Sequence, residues 1–182
     1  MDTGEIHSKL KKAIPGSVLE KSRFGRSAQL SLWVESRSLP DIAAFLVADA
    51  DIALDWLENL SAIQMDDAVV LTYFLRRSSG AEGPAGTSTL ILRASIELKG
   101  AAKEVTFQSV AKTWAMAAPF EAEIQEMFGV RFLDPRGEPA YQGPGKLPAG
   151  WTGFPLRKSY VFPSEFLGIQ HARVPMAPEG EA

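Results

Sequence analysis

Apolar residues recur at four-residue intervals at Ile6, Leu10 and Ile14, and Pro15-Gly16 follows at once. That spacing predicts a short amphipathic helix over GEIHSKLKKAI, closed by the proline–glycine pair. Period two then takes over. SVLEKSRF and AQLSLWVES flank Gly25-Arg26, and the alternation of Leu30, Leu32 and Val34 predicts a half-buried hairpin. Ser38, followed by Pro40 and Asp41, opens a second predicted helix through DIAAFLVADA, with Ile42, Phe45 and Leu46 on one face. Three predicted strands follow in LDWLENLSAI, DAVVLTYFLRR and TSTLILRASIEL, the last two separated by the polar, turn-forming SSGAEGPAG. The order α-β-β-α-β-β-β predicts an α+β fold, a two-layer sandwich whose mixed sheet carries helices on one face. There is no internal repeat.

After Lys99-Gly100 the texture changes. SVAKTWAMAA reads as helical, and Pro119 is a natural first residue for a further helix, PFEAEIQEMF, stopped by Gly129. On a helical projection Phe120, Ile124, Met127 and Phe128 form an apolar stripe, Glu121, Gln125 and Glu126 point elsewhere, and Glu123 sits at the margin. Three glutamates within six residues raise the possibility of a carboxylate metal site. They diverge around the helix without a Glu-x-x-His pair, so the face reads as solvated or partner-facing.

Regular structure is expected to stop near Leu133. Nine of the twelve prolines fall at or after position 119, and glycines recur at 129, 137, 143, 145, 150 and 153. This predicts a body over residues 1–130 that holds the main core, and an extended Pro/Gly/aromatic-rich arm over 131–182. The arm is too aromatic to be a solvated tail: Phe132, Tyr141, Trp151, Phe154, Tyr160, Phe162 and Phe166 would each gain about 2 kcal/mol from burial. Two dispositions satisfy that, an arm wrapped on another protein and a coil laid over its own sheet.

Composition narrows the function classes. With 46% hydrophobic and 23% charged residues, the 182-residue chain is expected to fold. A net charge of −3 with dispersed basic residues argues against nucleic acid as a partner. No run approaches the length of a spanning helix, and MDTGEIHSKLKK has no apolar signal core, so the expectation is a soluble, cytoplasmic chain. There is no cysteine to ligate iron–sulfur clusters or zinc or to act as a nucleophile. His7 and His171 lie near opposite ends and read as surface residues. No Gly-x-Gly-x-x-Gly dinucleotide fingerprint occurs. The expected cofactor, metal and catalytic sets are therefore all empty.

Two blocks carry a family resemblance. EVTFQSVAKTWAMAAPFEAEIQEMFGVRF, followed by WTGFPLRKSYVFP, resembles the thirty-kilodalton subunit of complex I (NADH–quinone oxidoreductase). The family includes small subunits of membrane-bound nickel–iron hydrogenases. Ser109-Val110, Trp114, Glu121-Ala122-Glu123 and Phe128-Gly129-Val130 match the first family motif; Trp151, Gly153, Pro155, Leu156, Arg157 and Lys158 match the second. A weaker likeness in LDWLENLSAIQMDDAVVLTYFL extends the resemblance over roughly residues 20–163. The chain departs from the family pattern at Ala122, Phe154 and Ser159, where an arginine, a histidine and an aspartate are usual, and has LDPRGEPAYQGPGKLP in place of a Gly-His-Pro-x-Leu-x-Arg-Arg run.

The resemblance implies a cofactor-free subunit in the hydrophilic arm of a respiratory redox complex, held against the large quinone-site or nickel-site subunit, with an iron–sulfur subunit as a further neighbour. Membrane association would come only through that complex, on its cytoplasmic face. Trp151, Phe154, Tyr160 and Phe162 would anchor the arm in apolar pockets, with Arg157 as a planar fork, Lys158 as a point charge, and Glu121, Glu123 and Phe128 contributing from the preceding helix. The parent complex is of the NADH-oxidising type or, alternatively, a membrane-bound hydrogenase or formate hydrogenlyase. An assembly factor or free binding module of the same fold is a second alternative. A stand-alone enzyme would need a general base among Glu121, Glu123 and Glu126 with Arg157 as electrophile, and nothing in the sequence brings these groups together.

Overall fold

The computed structural model describes residues 3–24, 29–78, 89–98, 105–143 and 145–171. Helix α1 (Thr3–Ala13) precedes β1 (Val18–Phe24) and β2 (Gln29–Val34); a 3-10 turn at Ser36–Ser38 leads into α2 (Leu39–Ala48). Strands β3 (Trp56–Met65), β4 (Ala68–Arg76) and β5 (Thr89–Glu97) complete a five-stranded sheet of order β1-β2-β5-β4-β3. Only β2 and β5 pair in parallel, so the sheet is mixed, as the sequence predicts. Both the Gly25-Arg26 turn and all but the first residue of SSGAEGPAG lie outside the described residues.

Strand alternation sorts the side chains. Leu32, Val34, Leu71, Tyr73, Leu90 and Leu92 point to one face and join a single core cluster with Ile6 and Leu10 of α1 and Ile42 and Leu46 of α2. This is the two-layer arrangement expected. Lys9 ties the layer together laterally through paired contacts to Asp49, at 3.0 Å, and Asp51, at 2.8 Å, just past α2.

Beyond the sheet the structure corrects the sequence reading in two places. SVAKTWAMAA is a series of turns, not a helix. The Ser109 hydroxyl accepts the Ala111 amide at 3.1 Å and the Val110 amide is bonded to a carboxylate, so local side-chain contacts take donors that a helix would have organised. Trp114 is instead buried, its indole N–H donating to the Leu54 carbonyl at 3.0 Å. The second correction is a pair of short strands, β6 (Val105–Gln108) and β7 (Val130–Leu133), which bracket α3 (Ala117–Phe128) and pair in parallel. Phe107 and Phe132 are opposite one another in that pair, stacked at 6.1 Å and buried in the core. The core thus extends to Phe132, and the expected boundary at 130/131 falls at the first residue of β7.

From Asp134 the chain runs as an arm of turns. It includes one tight hairpin, β8 (Glu165–Phe166) and β9 (Ile169–Gln170), joined through Leu167 and Gly168, both at positive φ.

Candidate docking site

Helix α3 and residues 145–162 form one local structure. Ala117, Glu121, Ile124 and Phe128 are the buried stripe of α3, at spacings of four, three and four residues. Glu121 therefore occupies a core position, and the expectation that it lies on a solvated face is overturned. Its carboxylate accepts the Ser109 hydroxyl at 2.6 Å and the Val110 amide at 2.9 Å. Burial raises its pKa above the ordinary glutamate value, and the two hydrogen bonds oppose that rise. The predicted stripe is rotated by about one position: Phe120 and Met127 are at its partly buried margins. Ala117, four residues before Glu121, is the signal that would have placed the glutamate inside.

The other two glutamates hold the arm. Glu123 pairs with the Lys146 ammonium, while Glu126 accepts the Lys146 amide at 2.6 Å and the Leu147 amide at 3.4 Å. A Cβ at Gly145 would overlap the Glu126 carboxylate, so any other residue here would push the Glu126 side chain aside.

The C-terminus of α3 is closed by the arm. Gly129 takes the left-handed conformation at φ 65°, and its amide donates to Gln125 O at 2.9 Å. That leaves carbonyls at Met127, Phe128 and Gly129 pointing out of the helix end. The Leu156 amide donates to Met127 O at 3.0 Å, Arg157 Nε to Phe128 O at 2.6 Å, and Arg157 Nη2 to Gly129 O at 3.3 Å. The guanidinium lies 4.7 Å from the centroid of the Phe154 ring, and that ring packs on Gly129 where any Cβ would stand. A cation here also faces the negative end of the helix dipole. The planar fork expected of Arg157 is thus real, but it engages carbonyls of its own chain. Partial burial lowers the Arg157 pKa from its ordinary value.

Lys158 continues the contact at the end of β3, its amide donating to Gln64 Oε1 at 2.9 Å and its exposed ammonium lying 3.9 Å from Asp66. Further along, the aromatics pack on one another. Trp151 stacks on Tyr160 at 6.4 Å and meets Phe162 and Phe166 edge-on at 5.7 and 5.1 Å, and His171 closes on Phe162. Gly153, at φ 78°, makes room for the Tyr160 ring. The Trp151 indole N–H and the Tyr160 hydroxyl are buried and have no hydrogen-bond partner among the described residues. Leu156 and Val161 are exposed by 56 and 84%, and Phe154 and Phe162 keep 39 and 49% exposure beyond their contacts to Gly129 and to Trp151.

The structure thus assembles Phe128, Phe154 and Arg157 at the end of α3, sets Glu123 on Lys146 and Lys158 at the end of β3, and gathers Trp151, Tyr160 and Phe162 in a separate aromatic cluster; Glu121 lies inside. Sequence reasoning missed Gln64 and Asp66, which come from β3 and its turn. Among the described residues no group of three or more His, Asp or Glu side chains is placed to hold a metal ion, and no helix is long and apolar enough to cross a membrane.

With this geometry in hand, comparison with known proteins defines the class. The respiratory-chain NADH dehydrogenase 30 Kd subunit family matches residues 32–165. The chain belongs to that family, a subunit family of complex-I-like respiratory redox complexes. It is 27% identical over 167 residues to the C subunit of the NADH-quinone oxidoreductase of Roseiflexus sp. (strain RS-1), covering 91% of this chain and 87% of the relative. The corresponding protein of Roseiflexus castenholzii (strain DSM 13941 / HLO8) is 28% identical over the same extent. Among solved structures, a chain of the membrane-bound sulfane sulfur reductase, an archaeal respiratory membrane complex, shares the fold with a TM-score of 0.51. That match covers 71% of this chain and 69% of the other at 16% identity.

Proposed function

We propose that this chain is a cofactor-free hydrophilic-arm subunit of a complex-I-like complex, peripheral to the membrane, whose segment 151–162 docks on the large quinone-site subunit. One observation carries the docking assignment. The segment is fixed from behind by α3, through Leu156 and Arg157, while Phe154, Leu156, Val161 and Phe162 remain exposed. A pre-ordered apolar ridge loses little entropy on association, which favours its use as an anchor. The complex would hold the subunit on the cytoplasmic face of the membrane, with electrons carried by its neighbours.

The test is a charge placed on the ridge. Val161→Glu with Phe162→Glu is expected to lower the free chain's melting temperature by about 2–6 °C, the cost of the Phe162 ring contacts to Trp151, Tyr160 and His171, with unfolding still cooperative. Loss of a central aromatic anchor, worth about 2 kcal/mol or more, should deplete the subunit from the affinity-purified complex roughly thirtyfold at limiting concentration. Undiminished stoichiometry would reject docking by this ridge.

A further inference from the structure

The five-stranded sheet has a second face. Ile6 and Leu10 of α1, the buried residues of α2, and Ala117, Ile124 and Phe128 of α3 all join the core cluster of the first, which leaves the other without a helical layer among the described residues. On that outer face Ile63 stands opposite Val70 and Met65 opposite Ala68, with Ile63 and Met65 about half exposed. Trp56, at the other end of β3, is 41% exposed and stands opposite Arg76.

Two cations lie on this face, which by register also carries Ser61, Thr72, Ser95 and Glu97 among its apolar residues. The Arg93 guanidinium is 4.0 Å from the Trp33 ring centroid and 5.4 Å from that of Phe24; Arg76 is 5.6 Å from the Trp56 ring. Both Nε atoms are buried and have no hydrogen-bond partner among the described residues. Burial lowers the Arg93 pKa from its ordinary value. Aromatic rings recover part of the desolvation cost and hold the guanidinium planes in place, but they cannot accept the in-plane N–H groups. The rings thus fix both guanidinium groups on a face of mixed apolar and polar side chains.

We propose that this outer face is a second docking surface, covered in the assembled complex by a protein segment that presents carboxylates among apolar side chains, with Arg93 and Arg76 as their receptors. The proposal deepens the reading of the chain as a complex subunit. Charge complementarity selects the partner: an arginine fork matches a carboxylate in two-pronged fashion, and an apolar rim excludes water from the pair.

Hydroxyl-radical footprinting of the full chain, free and within the affinity-purified native complex, tests this. Oxidation of Met65 and Trp56 is expected to fall about fivefold in the complex, as interface cores exclude solvent. Arg93→Glu should abolish that protection and Arg93→Gln weaken it, with thermal unfolding of each free variant showing that the sheet is intact. Should Arg93→Glu not fold, the wild-type comparison and Arg93→Gln still decide. Phe162, read in the same digest, reports the arm separately. Protection of Phe162 with Met65 and Trp56 unchanged would overturn this proposal and leave arm docking standing; protection of neither would overturn both. Protection that appears in the free chain with rising concentration, or on adding vesicles of neutral and anionic phospholipid, would assign the face to a second copy or to a membrane surface and overturn the proposal.

Discussion

At the residue scale, Arg157 is a helix cap before it is anything else. It donates to two carbonyls at the end of α3 and lies over Phe154. Arg157→Ala should therefore destabilise the free chain by about 1.5–3 kcal/mol, the range for hydrogen bonds from a charged donor. At roughly 2–4 °C per kcal/mol for a chain of this size, thermal unfolding reads that clearly. Arg157→Lys should recover part of the loss, because an ammonium keeps the charge at the helix end and gives up the fork. An unchanged melting temperature for Arg157→Ala would remove the capping role. Gly129 gives a second, coupled expectation. Gly129→Ala imposes a positive φ on alanine and drives its Cβ into the Phe154 ring, so it should cost more than about 1 kcal/mol. Prior Phe154→Ala should relieve the steric part only, and a double-mutant cycle with no coupling would mean that the ring does not rest there. The importance of Arg157 was legible from its motif. What it binds was not, because those carbonyls come from residues 28 and 29 positions earlier and carry no mark in the sequence.

At the element scale, α3 is organised by a carboxyl inside its buried stripe. A glutamate whose folded pKa lies above its unfolded value keeps its proton longer in the folded state. Its favourable contribution is thus fully present at low pH and is lost as pH climbs from the ordinary value near 4.5 through the raised one. Glu121→Gln fixes the uncharged form and still offers one acceptor and one donor to Val110 and Ser109. The wild-type melting temperature should accordingly fall relative to that of Glu121→Gln as pH rises through this window, and parallel profiles would show that Glu121 carries no such linkage. Glu121→Ala, which strands the Val110 amide, should cost about 1–3 kcal/mol at any pH. The first seven elements were readable because each has a clean period or a stop signal: Ile6 and Leu10 in α1, Leu32 and Val34 in β2, Pro40 in α2. Strands β6 and β7 were not. Four residues are too few to establish alternation, and VTFQ and VRFL meet only because α3 folds between them. The same limit hid the turns around Trp114, where one glutamate twelve residues away from Ser109 orders the backbone.

At the scale of the whole molecule, the core cluster ends at Phe132, and the turns that follow are held by α3 while apolar side chains stay exposed on them. A chain ending after Tyr141 retains β7 and the Ala140 to Phe132 hydrogen bond. It should unfold cooperatively, at a lower temperature than the full chain because the α3 end loses its cap, by about 2–4 kcal/mol in all. A non-cooperative transition would make the arm part of the core. Of the docking residues, the aromatic ones were visible as an excess of large side chains in a proline-rich segment; their mutual packing around Trp151 was not, since it depends on turns at Gly150 and Gly153. Site-specific photocrosslinking in the assembled complex tests the docking assignment most directly. A photoreactive residue at Val161, 84% exposed on the ridge, should give one dominant adduct to the large quinone-site subunit, while the same residue at Lys12 on α1 gives none to that subunit. Adducts confined to the chain itself, or equal capture from both positions, would contradict an arm that docks through residues 151–162.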